Sequence, residues 1–180
     1  MKVFVYYAAE APRAVIVVRY KSTKGFYKMF LWHTDTNKVE PGQWLTHKKI
    51  WPNLCRISKD GTLFQYFMAE LNPWKTYTVM CEPPYFSAIK IKEEVGTWFC
   101  DGKVNWVDSP SEGVKGSDLL SASNHLATVG PKNSNKKVEC RDDVLFVDGQ
   151  PLIRFQDYSF ENIAPPAIYP RLPMISYALR

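Results

Sequence analysis

The sequence predicts an all-β protein built mainly from antiparallel strands. Aromatic residues make up 14% of the chain, and aromatic side chains suit half-buried pleated surfaces. Thirteen prolines and nine glycines are scattered through 180 residues, so the elements are short and the turns many. Asp-Gly pairs stand between apolar runs at Asp60-Gly61, Asp101-Gly102 and Asp148-Gly149, and such a pair is the strongest short hairpin signal, because both central residues of a type I′ turn need positive φ. With 46% hydrophobic residues the chain can bury a core, and its length is that of one domain.

The strands follow in order. Val3 to Tyr7 reads as the first. Ala14 to Tyr20, AVIVVRY, is β-branched and nearly continuous, as a buried strand would be. Lys21 to Gly25 is a polar turn, and Phe26 to Trp32 places Phe26, Lys28, Phe30 and Trp32 on one face and Tyr27, Met29 and Leu31 on the other. Asp35-Thr36-Asn37 makes the next turn, Pro41-Gly42 breaks the chain, Gln43 to Lys49 is exposed in character, and Trp51-Pro52 closes the segment. Arg56 to Ser58 and Leu63 to Met68 flank the first Asp-Gly turn. A turn runs from Ala69 to Trp74 over Asn72-Pro73, and Thr76 to Cys81 is a strand. Pro83-Pro84 interrupts it at an edge or bulge, since proline has no N–H for a ladder, and Tyr85 to Ile91 resumes. Val144 to Val147 and Leu152 to Phe155 flank the last Asp-Gly turn.

Two architectures fit these strands. The turn glycines Gly25, Gly61, Gly102 and Gly149 recur at roughly the 40–50-residue period of propeller blades, and a β-sandwich accommodates the same hairpins. Residues 1–161 are expected to form a single β domain. Within it, residues 108–137 are rich in Ser, Gly, Pro, Asn and Lys and form a long surface loop, in which SDLLSASNHLA, Ser117 to Ala127, has the composition of one short capped helix. Residues 162–180 form an extended arm with Pro165, Pro166, Pro170 and Pro173 among apolar residues, and an apolar arm must cover its own domain or a neighbouring chain.

The net charge of +5 and pI near 8.9 are mildly basic and are not by themselves a nucleic-acid signature. No stretch approaches the roughly 18 apolar residues of a membrane span, and the opening MKVFVYYAAEAPRA is too short and broken for a signal peptide. Cys55, Cys81, Cys100 and Cys140 show no C-x-x-C spacing for zinc; Cys81 and Cys140 read as small core residues. The expectation is an intracellular protein with reduced thiols, a place in a virion being the alternative.

Signals for chemistry are sparse. The chain has no Walker loop, no G-x-G-x-x-G, no G-x-S-x-G and no H-E-x-x-H, and no cofactor is called for. Of the three histidines, His33 stands two residues from Asp35 without a third ligand nearby, and reads as a turn residue. Asp142-Asp143 and Glu93-Glu94 read as solvated charges, and Lys132, Lys136 and Lys137 as a basic loop without aromatics. The densest mixture is Trp44 to Trp51, where Trp44, His47, Lys48, Lys49 and Trp51 put aromatic, imidazole and ammonium groups within eight residues. Bases or sugars stack on such rings while lysines meet an anion; the competing reading is a pair of core tryptophans flanking a solvated basic loop. Trp74 and Tyr77 extend the same mixture.

Arg56-Ile57-Ser58-Lys59-Asp60-Gly61 with Leu63 to Phe67 resembles the S-P-D-G turn of TolB-type and WD-type propeller blades, Lys59 standing at the usual proline. Pro41-Gly42-Gln43-Trp44, the same S-x-D-G turn and Pro83-Pro84-Tyr85 together resemble a small β-rich family, associated with bacteria and large DNA viruses, over residues 1–107. The resemblance implies a β fold and supplies no activity, and fold alone would not license one.

Three functions therefore compete. The first is a non-enzymatic binding or interaction module using Trp44, His47, Lys48, Lys49, Trp51, Trp74 and Tyr77. The second is an assembly protein of a larger particle, using the C-terminal arm for self-association or a protein partner. The third is a hydrolase using His47 or His33. Nucleic acid is the weaker partner expectation, and no membrane is expected.

Overall fold

The computed structural model describes residues 1–20, 25–94, 106, 120–123, 126–130, 136–158 and 163. The strands are β1 (Lys2–Tyr7), β2 (Arg13–Tyr20), β3 (Phe26–His33), β4 (Lys38–Leu45), β5 (Lys48–Ile50), β6 (Arg56–Ile57), β7 (Phe64–Leu71), β8 (Trp74–Cys81), β9 (Ala88–Glu94), β10 (Leu120–Ser123), β11 (Leu126–Val129), β12 (Val138–Arg141), β13 (Val144–Val147) and β14 (Gln150–Arg154). Single 3₁₀ turns lie at Pro52–Leu54 and Phe155–Asp157. The strands form three sheets: β10-β11-β1-β2-β3-β4, β5-β7-β8-β9 with β6 also paired to β7, and β12-β13-β14. All pairings are antiparallel except β1 with β11, which is parallel. The fold is thus all-β and sandwich-like, and among the described residues the sheets are not successive four-stranded blades.

The six-stranded sheet lies in the middle. Successive side chains of a strand point to opposite faces, and here both faces are covered. Phe4, Tyr6, Val15, Val17, Tyr27 and Met29 pack with Ile50, Ile57, Phe64, Tyr66, Met68 and Val79 of the five-stranded sheet. Val3, Val5, Ile16, Val18, Phe30 and Trp32 pack with Leu145, Val147, Ile153 and Phe155 of the three-stranded sheet. That is why AVIVVRY lacks polar alternation, and why the two faces predicted for β3 are both buried.

Tyrosine hydroxyls stitch the layers together. Tyr6 donates to the Pro52 carbonyl at 2.8 Å and Tyr20 to the Phe155 carbonyl at 3.2 Å, and Tyr27 accepts from the Ile50 N–H at 3.2 Å, while Tyr66 of β7 holds the β8–β9 connection by donating to the Phe86 carbonyl at 2.7 Å. Each lets a large ring be buried without stranding its polar end.

Several expectations are corrected. Pro41-Gly42 does not break the chain but lies inside β4. That strand is the sheet edge, where a missing N–H costs no ladder bond, and the β3–β4 register shifts between Lys28 and Phe30. Gln43, Trp44 and Leu45 are buried, not exposed. Gly42 backs directly onto the Pro84 carbonyl. The Gln43 N–H donates to that same oxygen at 3.0 Å, and the Gln43 side-chain oxygen accepts from the Ser87 N–H at 3.0 Å and the Ser87 hydroxyl at 3.1 Å. The P-G-Q-W and P-P-Y stretches are therefore two halves of one joint, with Pro83-Pro84 and Asn72-Pro73 both cis.

The turn at Asn72-Pro73 is shorter than expected, because Leu71 still pairs with Trp74. The helix expected over Ser117 to Ala127 is replaced by strands: Leu120–Ser123 is β10, and β11 pairs with Val3 to Tyr6. Sheet pairing outweighs local helical preference there. That pairing also puts part of the expected 108–137 loop into the central sheet.

Asp148 and Gly149 both have positive φ, 52° and 79°, as a type I′ turn requires. Asp142 and Asp143 do the same, at 49° and 61°; they are turn formers between β12 and β13 rather than merely solvated charges. At Asp60-Gly61 the geometry differs. Gly61 has φ 74°, and the Asp60 carboxylate accepts from the Ser58 hydroxyl and the Thr62 N–H at 2.6 and 3.0 Å, which hold it below the usual carboxylate range. Glu10 N–H donates to the Lys59 carbonyl at 2.8 Å, fastening this loop to the β1–β2 connection. The arm 162–180 falls almost wholly outside the described residues, as do Asp101-Gly102 and Cys100.

Two outcomes are expected. Gly42→Ala puts a methyl into the Pro84 carbonyl and should cost about 3 kcal/mol, at the upper end of overpacking penalties, read as a lower urea midpoint at unchanged slope. Burial raises the phenols of Tyr6, Tyr7 and Tyr27 and pushes Tyr20 up to about 12. The unfolded chain therefore releases protons above about pH 10 that the folded chain keeps. The buried thiols of Cys55 and Cys81 are raised in the same way from a lower starting value, so stability is fully present below about pH 8 and falls as pH rises through about 9 to 12. Thermal midpoints recorded against pH should be flat from about 7 to 8, begin to fall near 9 and drop steeply above 10.

Candidate functional site

The chain leaves the central sheet at Leu45 and enters the five-stranded sheet at Lys48. Between them His47 has φ 59°, a left-handed conformation in which His is enriched. Its exposed imidazole lies 5.9 Å from the Phe26 ring. This bend sends the two halves of the Trp44–Trp51 segment to different places.

Trp44 belongs to the core. It is 6% exposed, stands opposite Lys28 across β3–β4, and lies 4.9 Å from the Tyr20 ring. The buried Lys28 ammonium sits 5.0 Å from its centroid. Lys48 faces the inner side of the five-stranded sheet at its rim and pairs with Glu70, its cross-strand neighbour. Tyr77 is on that same inner side, packed against the core; burial, then the Glu70 and Glu93 carboxylates, raise its phenol. Lys75 pairs with Glu93 at 3.3 Å beside it. The inner rim is therefore charge-balanced.

Lys49, Trp51 and Trp74 come together on the outer face. Lys49 stands opposite Ala69 and Ile50 opposite Met68, so Lys49 and Trp51 alternate away from the core. Trp74 opens β8, beside the tight turn from β7. The Trp51 ring lies 5.1 Å from Phe67 and 6.4 Å from Trp74, perpendicular to the latter at 89°. The Lys49 ammonium stands 4.7 Å from the Trp51 centroid. Trp74 is 51% exposed, the large hydrophobic side chain that the described surface shows to solvent.

The middle of this face is buried, Gln65, Phe67, Ala69, Thr76 and Thr78 being no more than 2% exposed, and further cations stand at its margins. Arg56 pairs with Gln65, and Ile57, its neighbour, points into the core, so Arg56 points outward. Lys90 and Lys92 stand opposite Met80 and Thr78. Trp106 is docked on the middle of the face by its backbone N–H, which donates to the Gln65 side-chain oxygen at 2.9 Å, and Lys90 stands 4.7 Å from its ring centroid. Arg56, Lys90, Lys92 and Trp106 carry no signal by local spacing; alternation with core residues along β6 and β9 is the sequence feature that places the three cations. Glu94 is not a solvated charge: its side chain is 7% exposed, accepts the Thr78 hydroxyl at 2.9 Å and pairs with Lys92 at 3.5 Å.

The histidines are separated by the fold. His33, at the end of β3, contacts Glu40 at 3.2 Å rather than Asp35, and Glu40 also accepts from Lys38 at 2.9 Å, which together hold its carboxyl below the usual range, Lys38 contributing most. Asp35 instead accepts from the Thr36 N–H at 2.9 Å. Lys136 is a tether, donating to the Thr34 carbonyl and to Asn37 at 2.9 Å over the Trp32 ring. Among the described residues no three His, Cys, Asp or Glu side chains gather as metal ligands. Cys55 and Cys81 are buried and Cys140 half-buried, all free thiols; burial pushes Cys55 up to about 12. Among the described residues no helix is long and apolar enough to cross a membrane.

Comparison with family models, with curated proteins and with solved structures finds no match for this chain.

The two tryptophan classes separate by stability. Trp44→Ala should cost about 3–5 kcal/mol, as for a buried aromatic. Trp74→Ala should cost under about 1 kcal/mol, as for a surface change. Urea unfolding of the two variants checks this.

Proposed function

We propose that this protein is a non-enzymatic binding module whose contact surface is the outer face of the five-stranded sheet at its β5–β7–β8 end. The observation that carries the reading is Trp74, half exposed and edge-on to Trp51, with the Lys49 ammonium over the Trp51 ring. An exposed, fixed aromatic offers a flat apolar surface at little cost in side-chain entropy, and a cation beside it supplies polarity. Trp51 is fixed by Phe67 and Trp74 lies next to a two-residue turn, so neither ring must be ordered on binding. The hydrolase reading has less support, because His33 and His47 sit in different parts of the fold and each has a structural explanation. The assembly reading rests on residues 162–180 and gains nothing from the described residues.

The test is thermal unfolding of the wild type and of Trp74→Ala against neutral oligosaccharides, nucleotides, oligonucleotides and acidic peptides. A ligand at a hundred times its Kd stabilises by about 2.7 kcal/mol. One ligand class should raise the wild-type midpoint, and Trp74→Ala should lose most of that rise. A ligand-induced rise that is the same in both proteins overturns the assignment of this face.

A further inference from the structure

Of the buried tyrosines among the described residues, Tyr6, Tyr27 and Tyr66 reach backbone partners and Tyr7 does not. Tyr7, Ala14 and Trp32 stand side by side in one cross-strand row of β1, β2 and β3, on the face that meets the three-stranded sheet. Tyr7 is 7% exposed and Trp32 0%. Their backbones are two strand spacings apart, about 9.6 Å, yet their ring centroids are 5.8 Å apart, edge to face. The rings therefore lean together over Ala14, which offers only a methyl where Ile16 stands between Val5 and Phe30 in the next row of the same face. The Tyr7 hydroxyl and the Trp32 indole N–H are both buried there, and neither bonds to the other or to any other protein group. Charges flank the row. The Lys136 ammonium lies 5.7 Å from the Trp32 ring; burial, then the Asp148 carboxylate on the β13–β14 turn, keep the Tyr7 phenol protonated.

We infer that Tyr7 and Trp32 hold an internal water molecule, bridged between the phenol oxygen and the indole N–H at the end of this layer. A buried donor without a partner bears the full cost of desolvation, and folded proteins meet that cost with a protein or solvent partner. Two such groups in one row give the site a polar lining, the condition under which an internal site holds water rather than staying dry. The flanking charges set the class of guest. Lys136 favours an anion and Asp148 opposes one, so a neutral guest fits best. The indole N–H is a donor only, and it needs an acceptor; the phenol both donates and accepts. Water satisfies both, whereas a cation has nothing to gain from the indole. Gly130 backs closely onto Tyr7, and Val39 pairs with Trp32, so the row is closed at both ends and the smallest guest is favoured. The water does for Tyr7 what backbone carbonyls do for Tyr6 and Tyr66, and it ties β1 to β3 across the intervening strand.

The test uses the full chain, labelled with nitrogen-15, and two readouts. Water-selective NOE and ROE spectra read the Trp32 indole proton. Urea unfolding compares the wild type with Tyr7→Phe, which removes the hydroxyl and keeps the ring. A held water gives the indole proton a cross-peak at the water frequency, opposite in sign in the two spectra, which separates it from proton exchange. Removing the hydroxyl then takes away the water's second bond and should lower the folded-to-unfolded ratio about fivefold, seen as a lower urea midpoint at unchanged slope. An indole proton without that cross-peak overturns the inference. A Tyr7→Phe midpoint equal to or above the wild-type value also overturns it, whatever the spectra show. That is the outcome for a hydroxyl buried without a partner, whose removal is neutral or stabilising.

Discussion

Everything in this molecule depends on a sheet buried on both sides. β1, β2 and β3 have apolar side chains on each face, so neither face tolerates water and each needs its own cover. One cover is the five-stranded sheet and the other the small β12–β14 sheet. Burying both faces removes the usual route by which a sandwich keeps polar residues in its strands, namely one wet face. Prominent among the polar atoms that remain inside are tyrosine hydroxyls, and those of Tyr6, Tyr20 and Tyr27 reach backbone groups in the neighbouring layers rather than partners in their own sheet. They fix the position of one layer over the next, which close packing of apolar groups alone does loosely.

The proline and glycine stretches that stand out in the sequence serve the same end. Gly42, Gln43, Pro84 and Ser87 form a joint between the edge of the central sheet and the segment leading into β9. The Ser58–Asp60–Thr62 loop forms another, against the β1–β2 connection. Short motifs with distinctive residues invite a functional reading, yet here their glycines and amides solve a steric problem between backbones. In a fold with few regular helices, joints of this kind take the place of long connections.

Much of the fold is legible in the sequence. β1 to β3, the hairpins at Asp60-Gly61 and Asp148-Gly149, the burial of Ala14 to Tyr20 and the division of Phe26 to Trp32 into two faces follow from residue pattern and turn chemistry, which are local. Local reading fails where a distant partner decides the outcome. Pro41 reads as a breaker unless one knows that its strand is an edge. Ser117 to Ala127 reads as helical unless one knows that β1 offers a free side. The candidate site shows the same division. Trp44 and Trp51 are near neighbours in sequence, but the left-handed bend at His47 resets the alternation and moves the chain to another sheet, so one ring is core and the other surface. Trp74 joins Trp51 through strand pairing that no window of residues reveals.

The parallel pairing of β11 with β1 has a further implication, for the order in which the fold is made. Synthesis runs from β1 onward, yet β1 gains its second neighbour from a segment near residue 126, and the three-stranded cover over Val3, Ile16 and Trp32 comes later still. Until then β1 to β3 form a meander with one apolar face and one strand edge open, the two features most prone to wrong association. Pairings of such long sequence separation also slow folding, because loop closure precedes the gain from pairing. The nascent chain thus carries an adhesive surface for much of its synthesis, and the sheet that finally seals it acts as the late-made lid of a structure laid down from the inside out.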